Sequence, residues 1–227
     1  MLAGGLLVGA LATAYFLGAP RSRSLPGTPL RPPDSSVDTS GTVAVTIDEK
    51  FFDSLLGTIF TKLGPPQLKL SAAPQGSCSD VVVLDPAAGD VKTSVRFTGG
   101  KIVAPLAFSG SYSILAQCMQ IKGTGRATVE LSFDASKQTV FGALNVEDVV
   151  LEGVPPIVTA LAVAFVRRAI AERLNPFPVL PVSQLAISLP VQQSGGNVKA
   201  TVKDVRSEIQ EGAVKLFLVY DFSGEKQ

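Results

Sequence analysis

The chain has 227 residues, 20 of them basic and 19 acidic, for a net charge of +1. That balance excludes the concentrated basic surface that nucleic acid requires, so no nucleic acid partner is expected. There is no His, no Trp and only two Cys, which removes Ser-His-Asp and Cys-His catalysis and leaves no nitrogen-and-sulfur set for a four-ligand metal. Residues 1–19, MLAGGLLVGALATAYFLGA, carry no charge. The run sits at the short limit for a helix that spans a bilayer. It lacks the basic start of a secretory signal, and the passable cleavage site Leu17-Gly18-Ala19 is followed by an unfavourable Pro20. It reads as an uncleaved membrane anchor or a signal peptide, with a buried soluble helix as the third alternative. No Cys stands near its end, so lipoprotein anchoring is not supported. Arg21 and Arg23 would hold that flank on the cytoplasmic side, whereas the cysteines discussed below favour export. The chain is read as exported.

Residues 20–41 are rich in Pro, Ser, Gly and Thr and read as a linker. Residues 42–224 read as a single α+β domain. It opens with a strand over 43–45. Thr46-x-x-Glu49 has the spacing of a capping box, and Phe52, Leu55, Leu56, Ile59 and Leu63 follow at helical period, with Phe51 and Phe60 beside them. Gly64 and Pro65-Pro66 end that amphipathic helix. Strands are expected over 67–72, 79–84, 90–97, 101–108, 112–121, 125–133 and 139–151. The clearest alternation is Ala127, Val129, Leu131 and Phe133 against Thr128, Glu130, Ser132 and Asp134. Residues 134–137 make a plausible hairpin turn. Residues 155–174 read differently. From Ile157 to Val166 only Thr159 is polar, which predicts a long helix buried on several sides. Asn175-Pro176-Phe177-Pro178 stops it. Strands over 184–189, 198–205 and 214–222 close the domain. The fold class expected is α+β: a long, strongly curved antiparallel sheet wrapped around the long apolar helix, with a second amphipathic helix.

Cys78 and Cys118, 40 residues apart, fit either a disulfide in an oxidising compartment or two buried thiols. Export favours the disulfide. Asp80, Asp85 and Asp90 read as solvated turn residues, and Glu147, Asp148 and Glu152 as a solvent face. Gly123-x-Gly125 precedes no helix, so it is no phosphate cradle. No enzyme activity, catalytic residue, metal or cofactor is expected.

Two stretches resemble a known family. Val45-Thr46-Ile47-Asp48-Glu49-Lys50-Phe51-Phe52-Asp53-Ser54-Leu55-Leu56 resembles the strand-to-first-helix opening of bacterial tubular lipid-binding (TULIP-type) domains, especially YceB-like envelope proteins. The stretch 125–180 is similar too: a strand through Phe133, a hairpin back through Val146 to Leu151, and an apolar helix ending in Asn175-Pro176-Phe177-Pro178-Val179-Leu180. The resemblance covers 43–222 in element order. It departs in lacking a lipobox Cys and in carrying Cys78 and Cys118. It implies a curved sheet around a helix with an apolar tunnel for acyl chains and no catalytic residues.

Phe52, Leu56, Ile59, Phe60, Leu161 and Phe165 from the helices, and Val129, Leu131, Phe133, Leu216 and Leu218 from the strands, are therefore the candidate apolar lining. The function expected is a membrane-tethered envelope protein that binds a lipid or fatty-acyl ligand, extending to lipid transfer. Its place is a bacterial envelope, anchored in the inner membrane with the domain in the periplasm, or secreted there. The alternative is a structural or partner-binding domain with a packed core and an unidentified protein partner.

Overall fold

The computed structural model describes residues 24–33, 41–69, 78–114, 117–153, 163–164, 167, 170–191 and 195–226. Fourteen strands dominate them. In chain order these are β1 (Thr28–Pro29), β2 (Thr42–Asp48), β3 (Gln67–Lys69), β4 (Val81–Asp85), β5 (Ala87–Ala88), β6 (Val91–Lys92) and β7 (Arg96–Thr98). The long ones follow: β8 (Lys101–Ile114), β9 (Gln117–Asp134) and β10 (Thr139–Leu151). Then come β11 (Phe177–Pro181), β12 (Ile187–Val191), β13 (Gly196–Gln210) and β14 (Ala213–Lys226).

Two large curled antiparallel sheets result, with β5 and β6 pairing as a separate two-stranded ribbon. The first has the order β11-β10-β9-β8-β4-β3, with β1 on β9 and β7 on β8. The second has the order β12-β13-β14-β2. A pleated strand sends alternate side chains to opposite faces, so residues opposite each other in register share a face. On the first sheet Ile102 pairs Val129, Ala104 pairs Ala127, Leu106 pairs Gly125 and Phe108 pairs Gly123. Across β10 the same face continues through Phe133–Val140 and Val129–Leu144. A bulge at Val146/Asp148 keeps Val149 and Leu151 on it. On the second sheet, Val205, Leu218 and Val43 share a face, as do Ser207, Leu216 and Val45.

These two apolar faces bury each other. Phe133, Val140, Val182, Val202, Val205 and Leu218 form one cluster. Phe97, Ile102, Val214 and Leu216 form a second. Leu30 touches both. Phe108, Val149 and Leu151 make a third, on the part of the first sheet that extends past the second, with Val163 against it.

This overturns the expected fold class. Strand makes up 63% of the described residues, and their one helix of any length, 15 residues, is the short N-terminal one. Among the described residues there is no long apolar helix for a sheet to wrap. The segment expected to form it shows helical positions at Val163, Ala164 and Arg167 and a π-helical turn at Ile170–Leu174; its residues 154–162, 165–166 and 168–169 lie outside the described ones. Ala164 and Arg167 are exposed, so the segment has a wet side. The physical reason for the difference is that long alternating strands supply two apolar faces, and each is the other's cover.

The helix Glu49–Thr58 continues into a π-helical turn, Ile59–Leu63, and ends at Gly64 with φ +85°. Its N-cap is Asp48, whose carboxylate accepts from the Phe51 amide at 2.9 Å. The Thr46–Glu49 capping box therefore does not form. Glu49 instead accepts from the Phe97 amide at 2.8 Å and sits 3.6 Å from Arg96. Its own amide donates to the Gly212 carbonyl at 3.2 Å. One turn of helix is thus clamped to both sheets, and no residue of the helix is fully buried.

The described part of the stretch read as a linker is docked. Thr28 and Pro29 pair with Phe133 and Ser132 on β9, in the edge position that β8 leaves open beyond Val129. The Leu30 amide donates to the Leu131 carbonyl at 3.0 Å, and the Ser207 amide on β13 donates to the Arg31 carbonyl at 3.1 Å. Residues 26–31 therefore strap one sheet to the other. Gly27 adopts φ +83°, and a Cβ there would meet the Phe133 carbonyl, so the strap's first turn requires glycine.

Candidate hydrophobic ligand site

Where the first sheet runs past the second, its apolar face is incompletely covered. A cavity of about 210 Å³ lies there. Leu106 and Phe108 on β8, Val82 and Leu84 on β4, and Leu144 and Val149 on β10 form its wall. Leu68 on β3 closes one side, and Ile170 and Leu174 from the π-helical turn close another. Gln67 and Arg126 are its polar members. Gly125, opposite Leu106, belongs to the same wall; a Cβ there would lie 3.1 Å from the Asp148 carbonyl, 3.7 Å from Val149 and 3.8 Å from the Phe108 ring. Asn175 fixes the turn beside the cavity, its side-chain amide bonding both the Leu144 amide (2.9 Å) and the Leu144 carbonyl (2.8 Å). The Arg167 guanidinium donates to the Glu147 carbonyl at 2.7 Å. A wall of this kind offers dispersion contacts and water exclusion, and no group suited to proton transfer.

The disulfide stands at the far end of the same sheet. Cys78 and Cys118 are bonded, with Cα atoms 5.3 Å apart. Next to it the Ser79 and Ser111 hydroxyls are 2.6 Å apart, and the Ser113 amide donates to the Asp80 carboxylate at 2.8 Å. Asp80 is therefore buried inside a tie between the 78–80 segment and β8, not a solvated turn residue. Among the described residues no group of His, Cys, Asp or Glu is placed to hold a metal ion.

The residues singled out from the sequence lie elsewhere. Phe133 and Leu218 are in the first core cluster, and Leu216 is in the second. Leu131 packs on both, and Phe52 and Val129 on the second. Phe52 meets the Phe97 ring edge-on at 5.7 Å. Leu56, Ile59 and Phe60 are half-buried on the helix. Leu161 and Phe165 lie outside the described residues. None of the described nine lines the 210 Å³ cavity. Val129 and Leu131 instead line a second, more polar groove of about 490 Å³ beside the strap, with Glu130, Glu147 and Lys101. No signal in the sequence singled out this cavity: Val82, Leu84, Leu106 and Phe108 read there only as strand residues.

No family model matches the chain, and no curated protein matches it. Among solved structures it is similar to a crystal structure of lipopolysaccharide binding protein, at 11% identity and a TM-score of 0.31. The match covers 82% of this chain and 41% of the other, so the chain spans less than half the length of that protein.

Proposed function

We propose that this protein binds the aliphatic chain of a lipid or fatty acid in the cavity between β4, β8, β10 and the turn Ile170–Leu174. One observation carries the reading: a cavity of about 210 Å³ whose wall is almost wholly aliphatic and aromatic side chains. Ligand pockets are generally apolar with a few placed polar groups, and drug-sized ones occupy about 300–1,000 Å³. This one suits a single acyl segment whose polar end stays outside the apolar wall. The protein is held at a membrane by residues 1–19, works outside the cytoplasm in a bacterial envelope, and passes its ligand on without altering it. The Cys78–Cys118 bond supports the extracytoplasmic location, because intracellular thiols are kept reduced.

A second reading has one observation behind it. Phe133, Leu216 and Leu218, where sheet meets sheet, are buried in a filled core, as a structural or partner-binding domain would have them. Titration with saturated fatty acids of increasing length separates the two. Each methylene buried is worth about 0.8 kcal/mol, about fourfold in affinity, until the cavity is full. Affinity should therefore climb with chain length and then level off. Absence of binding at every length would leave the structural reading.

A further inference from the structure

The inner face of the second sheet runs past its cover. The covered part ends near Tyr220, whose hydroxyl donates to the Leu185 carbonyl at 3.0 Å. Beyond it Ile187, Ala200 and Phe222 stand in register, then Leu189, Val198 and Gly224. Ala200 is buried, so this is the face that packs against the first sheet. Yet Ile187 is 44% exposed, Leu189 56% and Phe222 60%. β12 is also the outer strand of its sheet. Outer strands normally carry charge that discourages association. Here residues 174–198 contain no charged side chain at all. A contiguous apolar surface of this kind marks an interaction site.

The strap points to what covers it. Running back from Arg31, beside Ser207, to Pro26, whose carbonyl accepts from the Ser132 hydroxyl at 2.7 Å, the chain heads toward the β9–β10 turn. That turn and the overhang share one end of the molecule, since the Val182 and Ser183 amides both donate to the Gln138 carbonyl and Ile187 follows shortly after. The apolar run ends at Ala19, seven residues before Pro26. Seven residues reach about 25 Å at full extension, far less than a free linker to residue 41 would allow. A bilayer holding residues 1–19 is therefore kept against the end that bears the overhang.

We infer that Ile187, Leu189 and Phe222 dock on a lipid surface, fixing the domain's orientation on the membrane to which residues 1–19 tether it. The inference rests on that tether from the proposed function and not on the acyl cavity. Gly125, at the cavity, lies nine residues along β9 from Asp134, about 30 Å away. Docking leaves the cavity free.

The test uses the full chain in phosphatidylcholine vesicles. The native cysteines are bonded, so a dye on Leu189→Cys labels one position, and a dye on Thr98→Cys, exposed on β7 at the other end, is the control. Nitroxide-bearing lipid should abolish most emission at position 189 and spare position 98. Ile187→Ser with Phe222→Ser should free the dye at 189 from quenching while the chain still floats with the vesicles. Fatty-acid binding should stay unchanged in that double variant, which separates this inference from the cavity reading. Equal quenching at both positions would overturn it. So would a signal at 189 that ignores the lipid and falls on dilution, the mark of a second copy, or a full chain that does not float.

Discussion

At the residue scale, Asp134 at the β9–β10 turn is a tightly held charge. The Ser136 hydroxyl donates to it at 2.6 Å, the Ser136 amide at 3.0 Å and the Lys137 amide at 3.2 Å. The Lys137 ammonium is 3.3 Å from its other oxygen. The Ser136 hydroxyl is the largest influence and lowers the carboxyl below its usual range; burial opposes it, and the hydrogen bonds and charge of Lys137 add to the lowering. A depressed folded pKa contributes stability that is present above the unfolded value, about 3.9. That contribution is lost as pH falls through the folded value. Asp134→Asn should therefore lower the melting temperature at pH 7 and flatten its decline below pH 4. An unchanged acid limb in thermal melts would show that this turn contributes nothing to acid sensitivity. The sequence marked residues 134–137 as a turn, and the Asp-x-Ser spacing is legible as one. It could not show that Asp48, rather than Thr46, caps the helix. Both residue types cap well, and the choice is made by Glu49, which bonds Phe97 in place of Thr46's neighbourhood.

At the element scale, the strap shows what composition hides. Residues 20–41 have a linker's makeup, and nothing in Pro, Ser and Thr content reveals that Leu30 packs on two core clusters. An isolated Leu between prolines carries no period, so pattern reading has nothing to detect. Leu30→Ala should cost about 1–2 kcal/mol, discounted from the full core value because the side chain is only partly buried. Gly27→Val should act differently. It sets a β-branched side chain at φ +83° against the Phe133 backbone, so the strap should detach rather than the core loosen. Chymotrypsin should then cut after Leu30 faster than in the native protein, with the urea midpoint lowered modestly. Cleavage at the native rate in Gly27→Val would mean that the strap holds by Leu30 alone. The same limit explains residues 155–174. Uniform apolarity says that a segment is buried somewhere, not that it is a long continuous helix, and the strands around it had two faces to bury against each other.

At the scale of the whole molecule, alternation told which residues of each strand face inward, and Val129, Leu131 and Phe133 do lie on one face of β9. It did not tell which sheet covers them. Two sheets of unequal reach leave one incompletely covered region at each end: the apolar cavity on the first and the overhang on the second. The filled middle and the cavity should therefore respond oppositely to substitution. Leu218→Ala, in the middle at 2% exposure, should cost about 2–5 kcal/mol and leave ligand binding intact. Leu106→Trp should enter the cavity. With the cavity there to receive the ring, the melting temperature should barely change, whereas overpacking a full core costs about 1–3 kcal/mol. Fatty acid at a hundred times its dissociation constant stabilises a binding protein by about 2.7 kcal/mol. For a chain of this length that is roughly 5–10 °C in melting temperature. The expected pattern is this shift in the native protein and in Leu218→Ala, and its disappearance in Leu106→Trp. A native protein that shows no shift, together with a Leu106→Trp variant that melts several degrees lower, would mean that side chains already fill the space. The carrier reading would then give way to the structural one, while the proposed docking of the overhang, which does not depend on the cavity, would stand on its own test.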